Sequence, residues 1–508
     1  MSVRKKSQVR AFIPEKTGGV GMTLSFKKLW PAAVTAVFVL AAAGCNDTLR
    51  QFIIPISKPG GDAGAFAHAI VLSTNPAPSS NSSTLHIDVA GDTIVGQVTT
   101  GPKPVFFGIA NNRVFVINGD NTITSYIALL PTTPPFSTVV LPASASNPVG
   151  GGTGASGNFY TTNLGSGDSN IVSGSLLASV GTIPVGTNPV AIAGNAANSK
   201  MYVVNQGSNN VTVVSTTDNT VIKTIAVGSS PIWGVMAANG VQVFIVNQGD
   251  GTVSVIDTTL DAVIPCADAA GVPNCPSPFN AITVGASPNF ASYDANRQRL
   301  YVSNTGSNTV SVIKADGIDL GPPRILPRWL ADVTVSSAPV SVAALPDGSK
   351  VYAALGGCPA GTNHTNLVSG ANNINSCNGN KVSVIDANAL VEKKTIPVGR
   401  GVVSVATSSS SLRAYAVSAH DTVTIADNVN SPPQPARTFS APSIYDIKTN
   451  SDLVIPYTVD PSVISSPVPT FFAPAQDPTC TPTIDPKFNK SVPMLCTGQT
   501  PFMVRTFP

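Results

Sequence analysis

The chain has 508 residues, of which 43% are hydrophobic and only 11% are charged. This composition excludes an intrinsically disordered chain, because such chains are poor in apolar residues and carry a high net charge. Gly and Pro number 43 each, which favours short strands joined by turns over helices. The formal net charge is +3, but residues 1–44 hold seven of the 29 basic residues and one of the 26 acidic ones. The remainder is slightly acidic and lacks the basic character expected of a nucleic-acid-binding protein.

The N-terminal segment has the three parts of an export signal. Lys27 and Lys28 precede an apolar run over residues 29–43, and small residues follow it. About 15 apolar residues are fewer than the roughly 20 that a transmembrane helix needs. We therefore interpret residues 1–44 as a signal peptide, with a membrane-anchor helix as the alternative. The first 21 residues are long for such a signal, and Met22 is the alternative start of the protein.

The end of this signal reads Leu-Ala-Ala-Ala-Gly-Cys over residues 40–45, which resembles the lipobox of bacterial lipoproteins. The resemblance implies that Cys45 carries the lipid and that residues 45–65 form a lipidated linker. Acyl chains contribute roughly 0.8 kcal/mol per buried CH₂, so several chains hold a protein stably on a membrane. We expect an exported outer-membrane lipoprotein that faces the periplasm or the cell surface.

The cysteine content is consistent with export. Seven cysteines are present, and Cys45 as a lipid site leaves six. These form three close pairs in Gly-, Pro- and Asn-rich stretches: Cys266 with Cys275, Cys358 with Cys377, and Cys480 with Cys496. We predict local disulfides, as is typical of oxidising compartments, although six cysteines formally allow about 15 connectivities. Metal binding is the alternative, but no CxxC motif occurs, and the four histidines are scattered along the chain at His68, His86, His364 and His420.

A repeated pattern extends from about residue 68 to residue 427. Its clearest copies begin with an aromatic residue and reach an Asn three residues later, at Tyr202–Asn205, Phe244–Asn247 and Tyr301–Asn304. In each copy a Gly-containing turn and an alternating strand rich in Val follow. A third strand ends at Val-Gly or its equivalent, and a Pro three residues later begins the inner strand of the next copy. Each copy therefore predicts four strands.

Eight copies are recognisable, with anchors near residues 70, 115, 160, 202, 244, 301, 352 and 415. Longer gaps coincide with insertions at 258–281, 314–332 and 358–379. A period of roughly 40–45 residues with four strands is that of a β-propeller blade. We predict an all-β chain with an eight-bladed propeller over residues 66–445, seven blades being the alternative. Residues 446–508 are predicted to form a Pro-rich C-terminal extension with one disulfide.

Ring closure needs a strand from one terminus to complete a blade begun at the other. The first copy has no obvious inner strand. Residues after 430 or those near 52–56 are the candidates for that strand.

The copies resemble the YVTN family of β-propeller repeats, which is found in surface-layer and periplasmic proteins. The resemblance covers roughly 360 of the 508 residues. The matching positions are Asn205, Asn247 and Asn304 for its Asn, and Asp257 and Asp386 for the Asp that ends its second strand. Ser336 in place of Gly and Val402 in place of Pro are departures that predict distorted blades.

Residues that recur from blade to blade indicate structure more than a unique site. Tyr202, Phe244 and Tyr301 are predicted to pack between blades, and the repeated Asn and Asp to satisfy backbone groups in turns. Calcium is the alternative ligand for such turns, but no spaced acidic loop of the EF-hand kind is present. We predict no metal site and no cofactor.

The predicted function is that of a membrane-anchored, exported binding or scaffold module for a protein or cell-envelope ligand. The insertions 258–281 and 358–379 are the candidate contact loops, because they differ between blades while the frame repeats. A structural cell-surface protein is the alternative. An enzyme is the third reading, because propellers of this broad group resemble quinoprotein dehydrogenase chains and some lyases. We expect no catalytic residues, since four histidines are few and no G-x-S-x-G, HExxH or P-loop motif occurs.

Overall fold

The computed structural model describes residues 68–74, 79, 81–88, 93–129, 136–154, 157–194, 199–265, 280–315, 326–363, 376–397, 401–409, 413–419, 422–425, 437–440, 443–446, 453–456 and 500–507. Several predictions concern residues outside this part of the chain: the signal peptide, the linker, Cys45, and the pairs Cys266–Cys275 and Cys480–Cys496. In the described residues no helix has the length and apolar character needed to cross a membrane.

Eight antiparallel sheets, each with four main strands, form the blades of a propeller, as the sequence predicts. Blade 1 combines three strands from the start of the described chain with one from its end, and blades 2 to 4 are each formed by four consecutive strands. Blade 1 contains β1 (His68–Thr74), β2 (Asn81–Asp88), β3 (Thr93–Pro102) and β35 (Thr500–Phe507). Blade 2 contains β4 (Phe106–Ala110), β5 (Arg113–Ile117), β6 (Thr122–Ile127) and β7 (Ser137–Val140). Blade 3 contains β8 (Pro148–Thr153), β9 (Phe159–Asn163), β10 (Asp168–Val172) and β11 (Ser179–Pro184). Blade 4 contains β12 (Pro189–Ala193), β13 (Lys200–Asn205), β14 (Asn210–Ser215) and β15 (Val221–Ala226).

The other four blades follow in chain order. Blade 5 contains β16 (Pro231–Met236), β17 (Gln242–Asn247), β18 (Thr252–Asp257), β19 (Ala262–Val263) and β20 (Ile282–Thr283). Blade 6 contains β21 (Pro288–Asp294), β22 (Arg299–Asn304), β23 (Thr309–Lys314) and β24 (Arg328–Thr334). Blade 7 contains β25 (Ser341–Ala344), β26 (Lys350–Leu355), β27 (Lys381–Asp386) and β28 (Val391–Pro397). Blade 8 contains β29 (Val402–Thr407), β30 (Arg413–Ser418), β33 (Ser443–Asp446) and β34 (Leu453–Pro456), and a separate hairpin is formed by β31 (Thr422–Ile425) and β32 (Arg437–Ser440).

Two recurring left-handed backbone positions explain the turn sequences. One lies directly before the proline that opens an inner strand, and its occupants are Lys103, Asn147, Asn188, Ser230 and Ser287. The other lies in the turn between the second and third strands, and its occupants are Asn121, Gly167, Asn209, Gly251 and Asn308. Gly and Asn tolerate positive φ better than other residues. The turn sequences Gly-Ser-Asn and Gly-Asp-Gly therefore favour the hairpin that every blade requires.

The last strand of the chain closes the ring. β35 pairs antiparallel with β1, with His68 opposite Phe507 and Thr74 opposite Thr500. It becomes the innermost strand of blade 1. The closing strand thus comes from the region after residue 430, one of the two predicted sources. The predicted propeller range 66–445 is too short, because β34 and β35 lie in the segment interpreted as an extension.

Blade 8 differs from the sequence interpretation at its third strand. Residues 422–425 continue the repeat pattern and are predicted to pair with β30. Instead β30 pairs with β33, while β31 pairs with β32 in a hairpin of its own. The pattern is short there, and a strand of four residues does not specify its partner. The substitutions at Ser336 and Val402 do not break their blades, since blades 7 and 8 each keep four paired strands.

Aromatic side chains fill the spaces between blades. Tyr202, Phe244 and Tyr301 are completely buried. The Phe244 ring lies 5.8 Å from that of Tyr293 in the next blade, and Phe115 of blade 2 stacks on Phe159 of blade 3 at 5.0 Å. Aromatic pairs at these separations add to the free energy of burial, so they hold neighbouring blades together.

Candidate functional site

A cavity of about 670 Å³ lies where the innermost strands of all eight blades meet. Its wall is mostly made of small and apolar residues, including Gly151, Ala193 and Val342, with Trp233 and Phe290 as larger surfaces. The Trp233 and Phe290 rings lie 4.6 Å apart across the boundary between blades 5 and 6. A cavity of this size and character suits a small organic ligand.

Arg505, on the closing strand β35, is the single charged residue among those that line the cavity in the described part of the chain. Its guanidinium carbon lies 4.5 Å from the centre of the Phe106 ring and 5.7 Å from that of Phe107. No described residue forms a hydrogen bond or an ion pair with this guanidinium group. Its contacts with protein are thus to aromatic faces, which attract a cation but do not neutralise its charge.

The place of Arg505 in its strand can be compared with the other blades. In each inner strand the corresponding residue stands four positions after the opening Pro or its substitute. The other blades carry small or apolar residues there: Gly108, Gly152, Ala193, Val235, Ser292, Ala343 and Ala406. A long, charged side chain at this position occurs in blade 1 alone. The arginine is therefore a departure from the repeat and not part of the frame.

The surroundings of Arg505 disfavour its charge. Burial lowers the pKa of its guanidinium to about 10, because an apolar wall replaces water around the charged form. The group still carries its proton at neutral pH. A charge in such a wall normally has an anionic partner or a functional reason, so this position is the strongest candidate for ligand contact.

The repeated Asn residues do not act as the sequence predicts. The side-chain amide of Asn247 donates to the hydroxyls of Thr252 and Ser254 at 2.9 and 3.0 Å. Asn304 donates to Thr309 and Ser311 in the same way. Asn205 donates to the side-chain oxygen Oδ1 of Asn210 and to the Thr212 hydroxyl. These amides therefore link the second and third strands of a blade through side chains and not through turn backbone.

The repeated Asp residues bind turn backbone. Asp257 accepts from the N–H groups of Thr259 and Leu260 at 2.7 and 3.2 Å. Asp386 accepts from those of Asn388 and Ala389 at 2.8 and 2.9 Å. Among the described residues no cluster of three His, Cys, Asp or Glu side chains has a geometry for a metal ion.

The insertion in blade 7 carries a disulfide between Cys358 and Cys377. Its base is tied to the adjoining blades, since Gly357 N–H donates to Ala338 and Gly401 N–H donates to Gly379. Farther along, the amide of Asn363 donates to the Gln248 side chain of blade 5 at 3.2 Å. The described part of this loop thus reaches the turn between the second and third strands of blade 5.

The other candidate loop, 258–281, belongs to the edge of blade 5. Its described ends are β19 and β20, which both pair with β18, one at each end of that strand. The insertion therefore interrupts the outermost strand of the blade. Its described ends pair with β18 and not with the inner strand β16, which reaches the cavity.

Two of the histidines that are far apart in the sequence come together. The Nδ1 atoms of His68 and His86 lie 3.4 Å apart, and His86 Nε2 lies 2.8 Å from the Tyr126 hydroxyl of blade 2. The description of all four histidines as scattered is therefore wrong for this pair. Burial, and then the charge of His68, holds the pKa of His86 well below its ordinary value. The pair is part of the contact between blades 1 and 2.

Arg505, and the position of the closing strand within the region after residue 430, are the functional elements that sequence reasoning missed. A usable signal exists, because Gly498-Gln-Thr-Pro501 has the same spacing as Gly228-Ser-Ser-Pro231, which opens blade 5. The Pro-rich composition of the preceding segment concealed it.

Comparisons with known proteins bear on the fold. No family model matches the sequence, and no curated protein matches it. Among solved structures, dihydro-heme d1 dehydrogenase NirN in complex with DHE is 11% identical over 77% of each chain, with a TM-score of 0.52. Hydrazine synthase from Kuenenia stuttgartiensis is 19% identical over 56% of this chain and 78% of its own, with a TM-score of 0.39. A functionally unknown protein from Desulfotomaculum acetoxidans is 13% identical over 66% of this chain and 94% of its own, with a TM-score of 0.45. At 11% identity the likeness to NirN concerns the fold alone, and the eight four-stranded sheets make the chain a β-propeller protein.

Proposed function

We propose that this protein is an exported, lipid-anchored binding protein of the YVTN type, and that a small organic ligand occupies the cavity on its propeller axis. One observation carries the proposal: a cavity formed by all eight inner strands has one charged lining residue, Arg505, which departs from the repeat. We propose no catalytic role, no cofactor and no nucleic-acid partner.

The lipid anchor and the outer-membrane location rest on the lipobox-like residues before Cys45. Mass spectrometry of the N-terminal peptide from membranes of an expressing bacterium tests this part. A diacylated or triacylated Cys45, absent in Cys45→Ser, is the expected result. An unmodified Cys45 in the mature chain would contradict it.

The disulfide loop of blade 7 supports a contact with a second partner, a protein or a cell-envelope polymer. It is covalently closed and reaches two blades away through Asn363. Preorganised loops of this kind lose less conformational entropy on binding. Assembly into an ordered surface array remains the alternative role, and electron microscopy of intact cells distinguishes it from a dispersed binding protein.

Ligand binding is tested by thermal unfolding of the full chain in a non-ionic detergent, against panels of organic acids, phosphates, sugars, peptidoglycan fragments and metals. A ligand present at a hundredfold excess over its Kd stabilises the folded state by about 2.7 kcal/mol. The matched control is Ala406→Phe, which adds a bulky side chain to the cavity wall. We expect a stabilising compound whose effect is lost in Ala406→Phe. A shift of equal size in both proteins would place binding elsewhere, and no shift with any compound would contradict the proposal.

A further inference from the structure

The proposed function does not specify the chemical class of the ligand. The side chain of Arg505 indicates that class. Its side chain is the charged group of the lining, and its described contacts are with two phenylalanine rings. Guanidinium groups bind carboxylates and phosphates through two parallel hydrogen bonds. The same group gains little from a neutral or cationic ligand.

A purely structural role for this arginine is poorly supported. The seven other blades build the same position with Gly, Ala, Ser or Val, so propeller packing does not require a long cation there. A structural arginine in an apolar wall is normally paired with a carboxylate or with backbone carbonyls. Here the described residues supply neither partner, and Arg505 as a residue is partly buried in the cavity wall.

The rest of the cavity supplies the second half of the recognition. The rings of Trp233 and Phe290 and the side chain of Met236 lie on other blades of the wall. An apolar body that fills the space between the blades would cover these surfaces. A ligand that also carries an anionic group would satisfy the charge of Arg505 at the same time.

Resting on the proposed function, we infer that the ligand is an organic anion, with an apolar body and a carboxylate or phosphate group that Arg505 binds. Carboxylate and phosphate share the relevant chemistry, two oxygens that accept from one guanidinium. The experiment distinguishes a carboxylate ligand from a phosphate ligand.

The test uses a series of probes that share one apolar body and differ in the attached group: 2-naphthoate, 2-naphthyl phosphate, 2-naphthalenemethanol and 2-naphthylmethylammonium. Inorganic phosphate is included to measure the anion alone. Isothermal titration calorimetry is carried out on the full chain in one non-ionic detergent, with the wild type, Arg505→Met, Arg505→Lys and Lys223→Met. Lys223 lies on the outer strand β15 and is exposed, so its variant removes one positive charge far from the cavity.

For the wild type and Lys223→Met we expect at least one anionic probe to bind tenfold or more tightly than the alcohol, and the ammonium compound to bind weakest. The relative affinities of naphthoate and naphthyl phosphate then assign the anionic group. Arg505→Met should bind the anions no better than the alcohol, while Arg505→Lys should keep part of the preference. The melting temperature of Arg505→Met should be no lower than that of the wild type, because the variant removes an unpaired charge.

Two results would overturn the inference in different ways. Equal affinity of all naphthyl probes, or unchanged anion binding in Arg505→Met, would refute the anionic class while leaving the cavity as a binding site. Failure of every naphthyl probe to bind the wild type at millimolar concentration would refute both the inference and the use of this cavity for apolar ligands.

Discussion

Removing the hydroxyl of Tyr202 should destabilise the contact between blades 4 and 5. That hydroxyl donates to the Asp261 carboxylate of the next blade at 2.8 Å, and Lys200 binds the other carboxylate oxygen at 2.6 Å. Asp261 is 7% exposed, so water replaces the lost donor poorly. A hydrogen bond to a charged group contributes roughly 1.5–3 kcal/mol. In Tyr202→Phe the ion pair of Lys200 with Asp261 remains. We therefore expect a loss in the free energy of unfolding near the lower end of that range, about 1.5–2 kcal/mol.

A matched control exists two blades farther on. Tyr301 holds the same place in β22 as Tyr202 in β13, but its hydroxyl has no carboxylate partner in the next blade among the described residues, and Arg299 of its own strand is the polar side chain that acts on it. The residue corresponding to Asp261 in the blade that follows is Leu390, and both have positive φ. Tyr301→Phe should therefore change the free energy of unfolding by less than about 0.5 kcal/mol.

Urea unfolding of the two variants, followed by circular dichroism, measures this difference. The unfolding midpoint of Tyr202→Phe should fall clearly below that of Tyr301→Phe. Equal losses in the two variants would refute the reasoning, because both remove the same atom from a fully buried site and only the partner differs.

Three further changes have defined outcomes. The contribution of His86 to the free energy of unfolding should be fully present above about pH 6.5 and should fall below it by up to about 1.4 kcal/mol per pH unit. The reason is that the folded state lowers the pKa of His86 and so favours the neutral ring. Melting temperatures between pH 8 and pH 5 measure this dependence. Gly228→Ala should cost about 1–3 kcal/mol in urea unfolding, since its Cβ would lie 2.5 Å from the Asn247 amide nitrogen. Replacing both Cys358 and Cys377 with Ser should lower the free energy of unfolding by about 3 kcal/mol, as expected for a closed loop of some 20 residues.

Each of these has its own control. His86→Gln should flatten the acid dependence whatever its stability at pH 8, and an unchanged slope would contradict the assignment. Ser336→Ala, at the place equivalent to Gly228, removes only exposed hydrogen bonds from the Ser336 hydroxyl to Glu392 and should be nearly neutral. Wild-type protein under strong reductant should match the double Ser variant; a reductant effect that persists in that variant would show that other cysteines are responsible.

The architecture could be predicted because the repeat exposes it many times over. Turn residues such as Asn209 and Gly251, alternating strands, and the spacing from Val-Gly to Pro agree between copies, so errors in one blade are corrected by the others. The prediction failed at residues 422–425, where four residues carry too little pattern to select a partner strand. It named the region after residue 430 as one of two sources of the closing strand but did not locate β35 within it, because the partner β1 lies more than four hundred residues away in the sequence.

The candidate site could not be predicted from the repeat, for a related reason. A site on the propeller axis uses what differs between blades, and Arg505 is visible as a difference only after β35 has been aligned with the other inner strands. The pairing of His68 with His86 is similar: it depends on the register of β1 against β2, in which Ile70 lies opposite His86. The positions of Arg505, His68 and His86 in the sequence do not reveal these spatial relations.

Closure by β35 makes blade 1 depend on two segments that are far apart in the sequence. The strand joins residues more than four hundred positions apart, and closing so long a loop costs about 4 kcal/mol more entropy than closing a five-residue turn. A chain that ends before residue 500 lacks the innermost strand of blade 1 and the arginine of the cavity wall. Such a truncation should therefore disrupt the closed ring and the proposed anion recognition together.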